Sequence, residues 1–116
     1  HDFKYVGEKL FCERVSIESL VKKHGTPLYV YSAALLRERF AALDDAFDGY
    51  PHALHYALKA NSNLAIGRLL KGLGSAADAN SIWEIEVASR MGFAPQLTHG
   101  LDHFRDAAAV CWVVVT

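Results

Sequence analysis

The sequence predicts an α/β fold, namely a partial (β/α)8 TIM-type barrel of about the first four βα units, preceded by a short N-terminal β segment. Apolar runs typical of buried strands begin near residues 28, 54, 76 and 97, so they recur about every 21 to 26 residues. Each interval has room for one amphipathic helix, which is typical of parallel strands joined by right-handed crossovers. The first strand-to-helix turn, "YSAAL" at 31–35, contains neither G-x-G-x-x-G nor a P-loop, which disfavours a nucleotide-binding doubly wound sheet.

Residues 1–26 differ from the repeat and are assigned to a separate N-terminal segment that belongs to a β-domain in the complete protein. The run "FKYVGEKLFCERV" alternates like an antiparallel hairpin that turns at Gly7. The run "SIESLVKKHG" predicts a short helix from Ser16 to a stop at Gly25. We therefore divide the chain into this segment and the barrel part, 27–116.

The first βα unit begins with "PLYVYS" at 27–32, which predicts a short buried strand. Ser32 is expected to cap the helix that follows. Its apolar face is formed by Leu36, Phe40, Leu43 and Phe47. In the second unit, "ALHYALKA" at 53–60 predicts a strand, and a helix begins at residue 62 or 63 and stops at Gly74.

The third unit combines a weak strand, "AADAN" at 76–80, with a helix that runs to about Met91. Ser81 and Glu84 form a capping box at the start of that helix. A fourth strand is predicted at 96–100. Residues 101–116 form an atypical tail, because too few residues precede the apolar run 107–115 for a parallel crossover. That run is either the second half of a helix or not native to the repeat.

The charge composition disfavours partners that bind mainly through a strong net charge on the protein. The chain has 12 basic and 13 acidic side chains and a formal net charge of −1, so no nucleic acid or membrane surface is expected to bind it. No run approaches the roughly 20 apolar residues that cross a bilayer, and no signal peptide is visible. Cys12 and Cys111 show no disulfide framework, and the six histidines show no metal-ligand spacing, so we expect a cytoplasmic protein without a metal site.

Lys59, near the end of the second predicted strand, is the candidate reactive group. Strand alternation separates Leu54, Tyr56 and Leu58 from His55, Ala57 and Lys59. The second set would face the barrel interior with Lys59 at the C-terminal rim, and Asp78 would face it from the next strand. A buried amine with a lowered pKa beside a carboxylate suits a covalent bond to an aldehyde. The alternative is a rim lysine that extends into water, loosely paired with Asp78.

Three motifs in order, "GTPLYVYS", "YALKANSN" and "GSAADANSIWEIEVASRMGFAP", resemble the fold-type III pyridoxal phosphate-dependent decarboxylases. The similarity runs from about Phe3 to Gly100. Within this family the chain is most similar to the diaminopimelate decarboxylases of the ornithine, diaminopimelate and arginine group. The resemblance implies a carboxy-lyase that forms a homodimer and converts a small amino acid, meso-diaminopimelate, to lysine and CO2 for lysine biosynthesis.

The resemblance also implies roles for individual residues. Lys59 would bind pyridoxal 5′-phosphate as a Schiff base and act as an acid–base group, while Ala57 and Asp78 would line the cofactor. The family's Gly pair before Glu84 is replaced by Ile82 and Trp83, and residues beyond Gly100 do not follow the family.

The family's phosphate loop and pyridine-nitrogen partner come later in the sequence, so we expect the isolated chain to be inactive. Two alternatives stay open. One is a truncated or frameshifted, non-catalytic fragment that acts only by association. The other is a decarboxylase for another basic amino acid or a carboxylated polyamine.

Overall fold

A computed structural model describes residues 2–94, 98–99 and 111–115 of the chain. The chain divides into two compact units, His1–Arg39 and Phe40–Thr116, and the boundary falls within a helix, Ala33–Ala46. The division predicted from the sequence, at residue 26, concerns the domains of the complete protein and stays a prediction.

The first unit contains a three-stranded antiparallel sheet in the order β1-β2-β3, followed by two helices. Its elements are β1 (Phe3–Val6), β2 (Lys9–Cys12), β3 (Val15–Ser16), α1 (Ile17–His24) and the first part of α2 (Ala33–Ala46). Gly7 has a φ of 62° in the β1–β2 turn, a conformation that favours glycine. The N–H of Gly25 closes α1 by donating to the carbonyl oxygen of Val21 at 2.8 Å. The predicted hairpin and short helix are both confirmed.

The N-terminus of α2 is held by the carboxylate of Glu13, which lies in the β2–β3 turn. Its Oε1 accepts hydrogen bonds from the Ser32 hydroxyl and the Ala34 N–H, each at 2.9 Å. Ser32 Oγ in turn accepts from the Leu35 N–H at 3.0 Å, so the predicted Ser32 cap is confirmed. The N–H of Ala34, followed by the Ser32 hydroxyl, lowers the pKa of Glu13 because both donors favour the charged carboxylate.

The strand predicted at 27–32 is wrong, since this segment has no regular secondary structure. Its apolar alternation is present, with Tyr29 and Tyr31 exposed and Leu28 and Val30 half-buried. A strand also needs a neighbour for its N–H and C=O groups. No strand among the described residues pairs with 27–32, so alternation alone was an insufficient signal.

The second unit contains a four-stranded parallel sheet in the order β6-β5-β4-β7, with one helix between β4 and β5 and one between β5 and β6. Its further elements are β4 (His52–Ala57), α3 (Leu64–Gly72), β5 (Ala76–Asp78), α4 (Ile82–Met91), β6 (Thr98–His99) and β7 (Cys111–Val115). The α/β class and the parallel β4, β5 and β6 are therefore confirmed.

One predicted strand of the second unit ends early, and part of the apolar run for which the sequence left two alternatives is a strand. Strand β4 ends at Ala57 rather than at residue 60, because the Ala60 N–H turns back to the carbonyl oxygen of Ala57 at 3.1 Å. Residues 111–115 form β7 along β4 and not the end of a helix. The rest of the tail, 101–110 and 116, lies outside the described residues.

The helix starts follow from local hydrogen bonds. Asn63 caps α3, since its Oδ1 accepts from the Ala65 N–H at 2.9 Å. Ser81 caps α4 by accepting from the Glu84 N–H at 3.2 Å, which confirms the first half of the capping box. The Glu84 carboxylate also reaches back, but it accepts from the Asn80 N–H at 2.6 Å, one residue before the N-cap to which a capping box would bond.

The core of the second unit lies between the sheet and helices α3 and α4. Its buried apolar residues are Leu54, Tyr56, Ala57, Leu58, Ile66, Leu70, Ala76, Ala77, Ala79, Val87, Ala88, Met91 and Phe93. The two helices are in close contact at Gly67, where an added Cβ would lie 2.1 Å from the Met91 sulfur. A glycine is required there because the Met91 side chain occupies the space of a methyl group.

His52 fixes the beginning of β4. Its Nδ1 lies 2.8 Å from the carbonyl oxygen of Tyr50, its Nε2 lies 3.0 Å from Asp44 Oδ1, and its ring contacts Phe47 at 5.3 Å between centroids. Both nitrogens face acceptors, so only the doubly protonated imidazolium can donate to both. The Tyr50 carbonyl and then Asp44 raise the pKa of His52 accordingly.

In the part of the chain that the structure describes, no helix has the length and apolar character needed to span a membrane.

Candidate functional site

Lys59 lies just beyond the carboxyl end of β4, in a turn at 58–60. The Leu58 N–H makes the last hydrogen bond to β5, donating to the carbonyl oxygen of Asp78 at 3.1 Å, and the turn follows at once. Lys59 is exposed, so the burial predicted for its amine is not found. Among the described residues the sheet is open, with β6 and β7 at its edges, and no closed interior surrounds the lysine.

Ala57 and Asp78 are brought together as register partners on the neighbouring parallel strands β4 and β5. Paired residues in a sheet project their side chains to the same face. Ala57 is fully buried, while Asp78 is half-buried. Asp78 Oδ2 accepts a hydrogen bond from the side-chain amide (Nδ2) of Asn80 at 3.3 Å, which orients the carboxylate at this end of the sheet.

Lys59 and Asp78 make no ion pair with each other in the described structure. The two residues nevertheless belong to the same end of the sheet, because Ala57, two positions before Lys59, is the partner of Asp78. A direct contact between the amine and the carboxylate therefore stays a prediction, as do the cofactor roles of Ala57, Lys59 and Asp78.

The segment that follows Lys59 is held by groups that the sequence analysis missed. The buried Tyr56 donates its hydroxyl to the carbonyl oxygen of Asn61 at 2.8 Å. Asn61 Oδ1 accepts from the Asn63 N–H at 3.0 Å, and Asn63 then caps α3. The pattern N-x-N between a strand and a helix is typical of such an Asx turn and cap, so a local signal was present.

This arrangement can bind an aldehyde-bearing cofactor. An exposed primary amine at the carboxyl end of a parallel strand is accessible to a carbonyl carbon, and this is the end where α/β proteins place their ligands. Asp78 offers a carboxylate on the face of the sheet that it shares with Ala57. Within the described ranges, no group of three or more His, Cys, Asp or Glu residues is arranged so that it could hold a metal ion.

A family model described as "Pyridoxal-dependent decarboxylase, pyridoxal binding domain" matches residues 33–110, most of the chain. The chain belongs to this family. The matched region includes Ala57, Lys59 and Asp78, so the amine at the end of β4 lies within the pyridoxal-binding domain that defines the family.

Individual relatives give the same assignment. The diaminopimelate decarboxylase of Vibrio cholerae is 42% identical over 87 residues, which cover 75% of this chain and 21% of the relative. Among solved structures, AQ1208 of Aquifex aeolicus has a TM-score of 0.76 and 38% identity over 85% of this chain and 24% of its own. Diaminopimelate decarboxylase of Helicobacter pylori, in complex with L-lysine, has a TM-score of 0.66 and 41% identity over 72% of this chain and 21% of its own.

The chain spans about a fifth of the length of the curated relatives that it matches. The described site accordingly contains the strand ends around Lys59 and Asp78.

Proposed function

We propose that this chain is the N-terminal, cofactor-binding part of a pyridoxal phosphate-dependent decarboxylase that converts meso-diaminopimelate to lysine and CO2. The observation that supports it most directly is the exposed amine of Lys59 at the carboxyl end of β4, inside the region matched by the pyridoxal-binding family. The diaminopimelate decarboxylases among the relatives support the choice of substrate.

In this proposal Lys59 binds the cofactor through Nζ, and the small side chain of Ala57 lines the cofactor. Asp78 contributes a negative charge on the same face, held by the Asn80 amide. Pyridoxal phosphate, when bound, accepts the electron pair that departing CO2 leaves behind. The Lys59 amine, in its protonated form, would then supply a proton from Nζ to the carbon that loses the carboxylate.

The parallel sheet is, in the same proposal, the beginning of a (β/α)8 barrel that the remainder of the enzyme closes. The order β6-β5-β4 and the helices between these strands agree with the successive units of such a barrel. A homodimer and a cytoplasmic location are further parts of the proposal that follow from the family resemblance.

The test is covalent trapping of the cofactor. The 116-residue chain is mixed with pyridoxal phosphate, reduced with borohydride and digested, and the labelled lysine is identified by mass spectrometry. We expect selective labelling of Lys59, its loss in Lys59→Ala, and its retention in a control that replaces Lys23, an exposed lysine of α1. Equal labelling of lysines across the chain, with no preference for Lys59, would contradict the proposal.

The substrate requires a separate test on the complete enzyme. We expect the complete enzyme to release CO2 from meso-diaminopimelate, and we expect the isolated chain to release none. Release from ornithine, arginine or a carboxylated polyamine instead would leave the cofactor assignment in place and change the substrate.

One feature favours a second candidate, a non-catalytic segment that acts only by association. Strand β7 pairs along β4 and forms an edge of the described sheet, and an unpaired edge strand promotes association with other chains. Light scattering on the isolated chain, together with the neighbouring coding sequence, separates the candidates. A phosphate-binding loop and a C-terminal β-domain encoded downstream support the enzyme.

A further inference from the structure

The loop that contains Lys59 is short and is tied down on both sides of the lysine. Just before Lys59, the Leu58 N–H donates to the carbonyl oxygen of Asp78, and just after it the Ala60 N–H donates to the carbonyl oxygen of Ala57, each at 3.1 Å. These two hydrogen bonds fix the position where the turn begins. They do not fix the path of residues 61–63 from the turn to α3. That path determines the direction in which the backbone orients Lys59.

That second constraint comes from Tyr56, three residues before the lysine. Its hydroxyl donates to the carbonyl oxygen of Asn61 at 2.8 Å, two residues beyond the lysine, and so spans the whole turn. Tyr56 is only 9% exposed, and a hydrogen bond in such surroundings is stronger than one in water. Its loss would leave the Asn61 carbonyl without this donor.

Tyr56 holds the loop from the face of the sheet that Ala57 and Asp78, the proposed cofactor-lining residues, do not share. Successive strand residues project to opposite faces, so Tyr56 lies on the side of β4 opposite to Ala57. The Tyr56 hydroxyl therefore contacts the loop from the face of β4 opposite to the one that Ala57 and Asp78 share. The Asn61 side chain is hydrogen-bonded in turn, since its Oδ1 accepts from the Asn63 N–H at 3.0 Å, and Asn63 caps α3.

We infer that Tyr56 is a positioning residue that sets the orientation of Lys59 through its hydrogen bond to Asn61. The inference rests on the proposed function in one respect, namely that the Lys59 amine is the group that bonds to the cofactor's aldehyde. The hydrogen bond itself, and its effect on the loop, do not depend on that function.

Tyr56→Phe tests the inference because it keeps the buried ring and removes only the hydroxyl. The first readout uses no cofactor: hydrogen exchange of the amides of residues 59–63 is compared between the parent chain and the variant. We expect exchange to be faster by about fivefold, the factor that corresponds to the loss of one hydrogen bond of ordinary strength. Tyr29→Phe, at a tyrosine that is 83% exposed, is the matched control and should leave these rates unchanged.

The second readout is the rate at which Lys59 bonds to pyridoxal phosphate, with the exposed Lys71 of the same molecule as reference. Amine and aldehyde form a C=N bond and release one water, and borohydride reduces that bond to a stable C–N bond. In Tyr56→Phe we expect the limiting rate at Lys59 to fall about fivefold relative to Lys71, while the half-saturating cofactor concentration changes little. A residue that only stabilises the fold would change the unfolding midpoint and leave this ratio unaltered.

The outcomes separate the two ideas. Unchanged loop exchange and an unchanged labelling ratio in a folded Tyr56→Phe chain overturn the positioning role and leave the proposed function intact. Absence of preferential Lys59 labelling in the parent chain counts against the proposed function, and loop exchange still decides whether Tyr56 holds the loop. If Tyr56→Phe does not fold, Asn61→Ala loosens the same loop through its lost bond to Asn63 and must give the same direction of change in both readouts.

Discussion

Replacing Gly67 by alanine tests the packing between α3 and α4. Gly67 lies inside α3, and a Cβ at this position would fall 2.1 Å from the sulfur, 2.7 Å from Cε and 2.8 Å from Cγ of Met91. Carbon and sulfur need separations of about 3.5–4.0 Å, so the Met91 side chain would have to move by more than about 1 Å. Met91 is only 2% exposed, which leaves it little space to move into.

The expected change in the free energy of unfolding has two opposing terms. Overpacking of a well-packed core costs about 1–3 kcal/mol, and three close atoms place this site near the upper end. The better helix propensity of alanine offsets about 1 kcal/mol of that cost. We therefore expect Gly67→Ala to destabilise the second unit by about 2 kcal/mol net.

Gly72→Ala is the matched control. It lies at the end of the same helix, with no heavy atom within 4 Å of an added Cβ, so it should be neutral or stabilising by up to about 1 kcal/mol. In a Met91→Ala background, Gly67→Ala should lose its penalty, since the clashing atoms are gone.

Urea unfolding followed by tryptophan fluorescence is the assay, because both tryptophans of the chain, Trp83 and Trp112, belong to the second unit. A Gly67→Ala chain as stable as Gly72→Ala, or a penalty that persists without Met91, would refute the reasoning.

Two further predictions concern charge and capping. Stability that depends on protonated His52 should be complete below its unfolded pKa of about 6.5 and be lost as pH rises through its higher folded pKa. Asp44→Asn should lower the pKa of His52 seen by NMR titration of its ring, and an unchanged titration would contradict the role of Asp44. Ser81→Ala should cost about 1 kcal/mol in urea unfolding, since the Glu84 N–H loses its acceptor, whereas Ser81→Asp should retain most of the stability. Equal losses in both Ser81 variants would argue against capping.

Features determined by neighbouring residues were predicted well. The ends of α1 at Ser16 and Gly25, the Ser32 cap of α2 and the Ser81 cap of α4 each depend on groups only a few residues apart. The alternation of strands and helices was equally visible, because apolar periodicity reports which side of each element is buried. Ala57 and Asp78 were placed at the same end of the sheet for the same reason.

Features that depend on distant partners were predicted less well. Residues 27–32 have the pattern of a strand, but the pattern cannot show whether another strand is available to pair with them. The exposure of Lys59 also depends on the point where β4 stops pairing, which is set by the Ala60 turn bond. The close approach at Gly67 needed the position of Met91, although an isolated glycine within a helical pattern is itself a signal of tight packing.

The double acceptance by Glu13 has a practical consequence for anyone who shortens this protein. One carboxylate ties a turn near the amino terminus to the first turn of a helix about twenty positions later. A truncated version that starts at Ser16, although it would keep every residue of α2, would begin that helix with the Ala34 amide and the Ser32 hydroxyl deprived of their acceptor. Expression boundaries for the barrel region should therefore include the opening hairpin, or supply a replacement acid at the helix start.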